Sequence, residues 1–323
     1  MTNIIECIKN ASAIAILPHV DPDGDCLGSS FALSLALKKI GKSAQVILEN
    51  GRPPVYEILP GDFINYADMK DDSNFDLIIC LDCGDEKRLG NRFPLLKKDC
   101  VTVNIDHHPT NTSYAQYNLI SIHSAATGEI IYELISEMNI PMDEQIATNL
   151  YVAISTDTGA FRYSNTTSRT HAIIAKILET HINIADINRK IFDTVSLAKL
   201  RLTAEAINRI QLYKDGLIAV IVLPYKLMGS LGATDDDTEG LTSLARTVEG
   251  VEVGILIKER EQGVIKVSFR SNEYVDVAQI AEFFGGGGHK RASGCTLTMD
   301  LEEAVQKVLQ RTEEELVSAG TEV

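Results

Sequence analysis

Residues 13–29, AIAILPHVDPDGDCLGS, pass within a few positions from an unbroken apolar run to one imidazole and three carboxylates. The apolar run predicts a buried strand over 13–17, and the segment 27–39 predicts the helix that follows it. Between them His19, Asp21, Asp23 and Asp25 share one short turn containing Pro22 and Gly24. Carboxylates held that close raise each other's pKa unless a cation intervenes. A divalent ion removes the conflict, and carboxylate oxygens with an imidazole suit manganese, magnesium or iron better than a thiolate-seeking metal. The carboxyl ends of strands in open α/β sheets are also where ligands bind. The alternative is an acidic turn that caps the helix through Asp23 or Asp25.

Working outward, 44–48 reads as a second strand, and 76–81 and 101–105 as two more, set apart by the Gly51-Arg52-Pro53-Pro54 turn and a loop around Gly61. Strands alternating with helices predict a mostly parallel sheet with flanking helices and right-handed crossovers. Two of these strands run into further chemistry, the first into Asp82 with Asp85 behind it, the second into Asp106-His107-His108. Three parallel strands would therefore deliver His/Asp clusters to one carboxyl edge. A helix over 143–155 leads into Thr156-Asp157-Thr158-Gly159, which adds another carboxylate at a helix end. The segment His123-Ser-Ala-Ala-Thr-Gly-Glu129 carries helix-start chemistry, with Ser124 or Thr127 as the cap and Glu129 as a structural residue.

At 323 residues the chain is long enough for two cores. The expected division is a first domain over 1–190, a helical connector over 191–210 inside an uninterrupted helical pattern from 185 to 210, and a smaller α/β domain over 211–323. A net charge of −15 argues against a surface that grips long nucleic acid, which needs many Lys/Arg contacts to phosphates. A phosphorylated substrate would have to be small. No apolar run approaches the roughly 20 residues that span a bilayer, and the amino terminus lacks the basic-then-apolar order of a signal peptide. Six scattered cysteines fit free thiols in a reducing compartment, so a cytoplasmic protein with no membrane association is expected. Cys80 and Cys83 lie within LIICLDCG, where strand alternation would turn them to opposite faces and away from joint redox or metal chemistry.

In the second half, 217–223, 251–258 and 264–270 read as strands, the last two joined as a hairpin at Gln262-Gly263, and 301–317 as a closing helix. The acidic run 235–239 precedes a helix over 240–247 and reads as its solvated start. Arg270-Ser271 closes a strand, and Gly285-Gly286-Gly287-Gly288-His289-Lys290-Arg291 follows. Four glycines bring bare N–H groups within reach of an anion, and His289 and Arg291 add charged donors. That combination favours phosphate or oligonucleotide-end binding over a flexible linker.

Taken in order, His19-x-x-x-Asp23-x-Asp25, Asp82, Asp106-His107-His108 and Asp157 resemble the motifs of the DHH phosphoesterase superfamily, and the Gly285–His289 segment resembles its DHH-associated carboxyl-terminal domain. The likeness spans nearly the whole chain and is similar above all to the stand-alone bacterial oligoribonucleases that also dephosphorylate 3′-phosphoadenosine 5′-phosphate (pAp). It implies two divalent cations, manganese foremost: one held by His19 and Asp23, the other by Asp25, His107 and Asp157, with Asp82 bridging. It implies His108 and Asp106 as catalytic groups in hydrolysis by an activated water. It further implies that Arg270, Ser271, Gly286, Gly287, Gly288, His289 and Arg291 hold the substrate's distal phosphate, with the active site in the interdomain cleft. Short RNA oligonucleotides, linear dinucleotides and pAp would be the substrates, and the protein could act as a homodimer. The same scaffold also serves cyclic-dinucleotide phosphodiesterases and single-strand exonucleases, whereas a non-enzymatic nucleotide-binding module would have shed a ligand position.

Overall fold

Alternating apolar and amphipathic segments build the first of two units, Met1–Thr194 and Val195–Val323, into which the computed structural model divides the chain. The structure describes residues 1–69, 74–97 and 99–320. In the first unit α1 (Thr2–Asn10) leads into β1 (Ala13–Pro18), α2 (Gly24–Lys39) and β2 (Ser43–Leu48). There follow β3 (Phe63–Asn65), β4 (Leu77–Leu81), β5 (Val101–Asp106) and β6 (Tyr117–Ile120), and then α3 (Thr127–Glu137), α4 (Glu144–Asp157), α5 (Ser168–Leu178) and α6 (Ile184–Ile191).

The strands order β3-β2-β1-β4-β5-β6, every neighbouring pair parallel. β1, β4 and β5 lie at the centre and are buried along nearly their whole length, as their continuous Ile/Leu/Val runs require of strands covered on both faces. Ile14 and Ile16 face a core shared with Leu27, Phe31, Ile130 and Leu150 of the helices. Ala15 and Leu17 face the opposite core with Ile78, Cys80 and Leu89. The sequence reading passed over β3 and β6, which are edge strands of three and four residues, too short for period-2 alternation to register.

The uninterrupted helix expected over 185–210 is broken. α6 stops at Ile191, and α7 (Leu197–Asn208) restarts behind Ser196, whose side chain accepts from Lys199 N. Ser196 is an N-cap ahead of an apolar residue, a signal that the helical periodicity on either side masked.

In the second unit α7 is followed by β7 (Gln211–Tyr213), β8 (Ile218–Leu223), α8 (Tyr225–Leu231), α9 (Leu241–Arg246), β9 (Val253–Glu261) and β10 (Val264–Ser271). Then come α10 (Val277–Phe283), β11 (Gly287–His289), β12 (Ala292–Thr298) and α11 (Leu301–Gly320). The sheet order is β11-β12-β10-β9-β8-β7, antiparallel except for the parallel β8–β9 pair. α10 and α11 cover one face through Ile280, Val308 and Leu316, while α7 and α9 cover the other through Leu202, Ala206 and Leu241. The acidic run before α9 is more than a solvated helix start, because Asp235 pairs with Lys258 at 2.6 Å and Arg260 at 2.9 Å.

One glycine governs the helix layer over the first sheet. α2 and α4 cross so closely that a Cβ at Gly28 would lie 2.4 Å from the backbone oxygen of Asn149. Alanine in a helix interior ordinarily adds up to about 1 kcal/mol over glycine. Gly28→Ala is nevertheless expected to lower stability by about 1–3 kcal/mol through overpacking against an immovable carbonyl. A urea midpoint equal to or above that of the wild type would contradict this.

Candidate metal and phosphoester site

Because β1, β4 and β5 are parallel neighbours, their carboxyl ends lie side by side roughly 4.8 Å apart per strand. His19 follows β1, Asp82 follows β4 with a left-handed backbone (φ 55°), and Asp106-His107-His108 leave β5. Asp23 caps α2 by accepting from Cys26 N at 3.0 Å, which sets Asp25 on the first turn, fully enclosed. Asp157 arrives on the last turn of α4.

These residues converge on Asp82. His19 Nε2 lies 3.6 Å from Asp82 Oδ2 and 3.9 Å from Asp23 Oδ1. On the other side His107 Nε2 lies 3.6 Å from Asp82 Oδ1, 3.6 Å from Asp157 Oδ2 and 3.9 Å from Asp25 Oδ2. Such separations exceed a hydrogen bond and suit donors that share an ion. Each imidazole also has its other nitrogen at a backbone carbonyl, His19 Nδ1 at Val20 O (2.6 Å) and His107 Nδ1 at Ser124 O (3.2 Å). That contact selects the tautomer leaving Nε2 as a lone-pair donor, the usual arrangement of a metal-ligating histidine. Asp25, His107 and Asp157 form one group able to hold a metal ion, and His19 and Asp82 belong to another. Asp21 is exposed and takes no part in these contacts.

The electrostatics register the crowding. Burial, then Asp82, Asp157 and Asp23, push the Asp25 carboxyl well above the ordinary range. Burial likewise pushes Asp157 up to about 6 against the attraction of His107. Burial would raise Asp82 too, but the imidazoles of His19, His108 and His107 close around it outweigh burial and hold Asp82 low. Four carboxylates and two imidazoles thus form a hard, anionic donor set that fits divalent cations.

Beside it, Asp106 is completely buried; its Oδ1 accepts from His108 Nδ1 at 2.7 Å and from His107 N at 2.8 Å, while Oδ2 accepts from Asn111 Nδ2 at 2.5 Å. The ring that Asp106 holds is therefore that of His108, whose pKa this bond raises. His108 remains one-third exposed, with Nδ1 3.6 Å from Asp82.

Cys80 and Cys83 do not point to opposite faces. The strand ends at Leu81, and the positive φ of Asp82 returns Cys83 to the cluster that holds Cys80. Burial raises both thiols, Cys83 to about 11, so both stay protonated. Sequence reading missed three neighbours of the site. Cys26 Sγ accepts from His19 N at 3.2 Å and shares a potential ligand group with His19 and Asp82. Asn111 props Asp106. Thr127, read as a helix cap, is the first residue of α3 and donates its hydroxyl to Asp82 Oδ1 at 3.0 Å, while the cap position is Ala126.

In the second unit Arg270 and Ser271 end β10, and the glycine run is neither linker nor open loop. Gly287, Gly288 and His289 form β11 and pair with Gly294, Ser293 and Ala292 of β12. A Cβ at Gly286 would strike Gly294 O at 2.2 Å and one at Gly288 (φ 148°) would strike Ala292 O at 2.5 Å, whereas Gly287 faces open space. Ser271 is buried and donates its hydroxyl to Val275 O at 2.7 Å. The Arg291 guanidinium donates to Val275 O at 2.9 Å and to Glu273 O. His289 is exposed. Arg270, Ser271, the glycine strand and Arg291 thus share one end of the sheet.

A parallel sheet whose adjacent strand ends assemble this donor set defines a metal-dependent phosphoesterase. The DHH family N-terminal domain is matched over residues 13–154 and the DHHA1 domain over 216–318. The chain belongs to the DHH family. It is 33% identical, over 99% of its own length and 95% of the relative's, to the bifunctional oligoribonuclease and PAP phosphatase NrnA of Thermus thermophilus. The protein of the same name from Bacillus subtilis is 24% identical over 92% of this chain and 93% of its own. A crystal structure of an exopolyphosphatase-related protein from Bacteroides fragilis superposes with a TM-score of 0.90 at 29% identity, covering 97% of this chain and 95% of that one. Among the described residues no helix is long and apolar enough to cross a membrane.

The raised groups fix a pH dependence. Asp157 titrates near 6 when folded, against roughly 3.9 when unfolded. The folded state therefore holds more protons across that interval, and stability falls as pH rises through it. Asp25 acts in the same direction. The raised pKa of His108 adds stability below about 6.5 that fades as the ring deprotonates. The metal-free protein is thus expected to melt at progressively lower temperature from pH 5 to 8, and Asp157→Asn should flatten the acid part of that decline. A wild-type profile that rises over pH 5 to 8 would refute the assignment.

Proposed function

We propose that this phosphoesterase is a manganese-dependent hydrolase that cleaves short oligoribonucleotides and linear dinucleotides to mononucleotides and removes phosphate from pAp in the cytoplasm. The observation that carries the reading is the meeting of both donor groups at Asp82, with His19 and His107 each 3.6 Å from it on opposite oxygens. In this reading His19 and Asp23 hold one ion, Asp25, His107 and Asp157 the other, and Asp82 bridges them. The pair would supply neutralisation of phosphoryl charge and activation of water for in-line displacement.

The protein's own groups do the rest. His108, held by Asp106 with its pKa raised and one-third exposed to solvent, donates to a phosphoryl oxygen or to the departing oxygen. Asp106 is committed through both oxygens and does not turn over a proton; it fixes the His108 ring. Arg270, His289 and the exposed backbone of Gly287 and Gly288 recognise the phosphate at the far end of a short substrate, while Gly286 N is committed to Ala281 O at 2.9 Å and anchors the strand. Ser271 and Arg291 shape that surface, since Arg291 ties the turn at Glu273 and Val275 to the glycine hairpin. The substrate assignment draws its support from the relatives named for these two activities and from a net charge of −15, which disfavours long nucleic acid.

The deciding assay compares pAp, a linear RNA dinucleotide, a longer oligonucleotide, a cyclic dinucleotide and pyrophosphate with manganese present. Fast release from dinucleotide and pAp, falling sharply with chain length, is the expected result; cleavage of only the cyclic or long substrate would overturn the substrate assignment. Asp82→Ala should abolish turnover with every substrate, and activity near wild type would remove its bridging role. Arg291→Ala should raise KM about 10- to 100-fold, the scale of losing charge-assisted hydrogen bonds, while leaving bound manganese unchanged. After chelation, manganese should restore activity better than zinc.

A further inference from the structure

The turn at residues 124–128, immediately before and into α3, reaches the donor set from the Asp25/His107/Asp157 side: its one contact with the shared Asp82, from Thr127 Oγ1 at 3.0 Å, is to Oδ1, the oxygen that faces His107 and not His19. Ser124 O holds His107 Nδ1 at 3.2 Å. Thr127 N and Gly128 N donate to the two oxygens of Asp25 at 2.7 and 2.9 Å. Asn165 Nδ2 clamps Ala125 O at 3.0 Å and Asp157 O at 3.1 Å. The turn thus contacts the side chains of Asp25 and His107 directly and is tied through Asn165 to the backbone of Asp157. The opposite half is held independently, His19 by Val20 O and Asp23 by Cys26 N.

An ion pair between an enclosed carboxylate and a half-exposed guanidinium locks the turn from behind. Glu129 is fully enclosed; Oε1 accepts from Thr170 Oγ1 at 2.6 Å and Oε2 from Ala125 N at 3.3 Å, and Arg169 Nη1 stands 3.3 Å from Oε2. The same Arg169 Nη1 donates to Ser124 Oγ at 3.1 Å, and its other nitrogens bind Glu133 at 2.9 and 2.7 Å. The guanidinium therefore joins α5 to both ends of the turn. Removing the Arg169 guanidinium leaves the enclosed Glu129 carboxylate uncompensated, which drives the surrounding segment to rearrange.

We infer that Glu129 and Arg169 are positioning residues that set the affinity of the Asp25/His107/Asp157 ion site selectively, by holding the 124–128 turn against its donors. The inference rests on the two-metal reading above. Groups that orient metal ligands from behind typically govern 10- to 100-fold in metal affinity. An exclusively architectural Glu129–Arg169 pair would lower stability and disturb both ion sites alike, because Asp82 joins them.

The test is equilibrium manganese binding to the full chain, with free ion followed by electron paramagnetic resonance, alongside thermal unfolding of the metal-free proteins. Wild type is expected to bind two ions. Arg169→Ala and Glu129→Gln should keep one ion at wild-type affinity and bind the second about 10- to 100-fold more weakly. Where either fails to fold, Arg169→Lys retains a cation for Glu129 but not the fork over Ser124 and Glu133, and should show the same selective loss on a smaller scale. Equal weakening of both ions, or a second-ion affinity within twofold of wild type in all folded variants, overturns the inference while leaving the two-metal reading intact. A wild-type protein that binds fewer than two ions overturns that reading and, with it, this one.

Discussion

Everything at the carboxyl edge of the first sheet depends on Asp82 being buried and ionised at once. An isolated carboxylate there would take up a proton, as the high values of Asp25 and Asp157 show for its neighbours. Three imidazoles around Asp82 reverse the balance, and they can do so only because β1 and β5 are its two parallel neighbours. Strand order is thus an electrostatic requirement. Separating β1 from β4 would take the His19 ring away from Asp82 and leave that side of its carboxylate with other carboxylates alone.

The same constraint explains the tightness of the helix layer. Asp25 begins α2 and Asp157 ends α4, so the donors meet only if those helices pack almost backbone to backbone, which Gly28 permits. The amino end of α3 is threaded into that layer, and its free N–H groups stabilise the Asp25 carboxylate where negative charge is most crowded. Packing in this layer and charge at the site are therefore one problem, solved by small residues and helix termini.

Much of this was legible in the sequence because strand ends are punctuated. His19, Asp82 and Asp106-His107-His108 each stop an apolar run, and the α/β alternation was strong enough to align those stops at one edge. What could not be read were contacts without periodicity. Thr127 looked like a helix cap because local chemistry offers a threonine that role; its bond to Asp82, 45 residues away, exists only through the fold. Cys83 was assigned by alternation to the wrong face because one positive φ at Asp82 ended the strand early. β11 was invisible for a related reason: a strand of Gly-Gly-His has no side-chain pattern, and the glycines are dictated by Gly294 O and Ala292 O across the hairpin.

The glycine strand also clarifies how the second unit can meet a phosphate. A mobile glycine loop would lose conformational entropy on gripping an anion, at a cost of roughly 1–2 kcal/mol for each residue ordered. Here Gly286 and Gly288 are already fixed by close approach to β12, and Arg291 already anchors the turn beside them. Gly287, between those two glycines, faces open space, so its backbone is accessible without being slack. An anion meeting this hairpin encounters amides and charges whose ordering was completed on folding. In the proposed function, that preorganisation would let a single terminal phosphate be recognised without the broad basic surface that the net charge of −15 denies the protein.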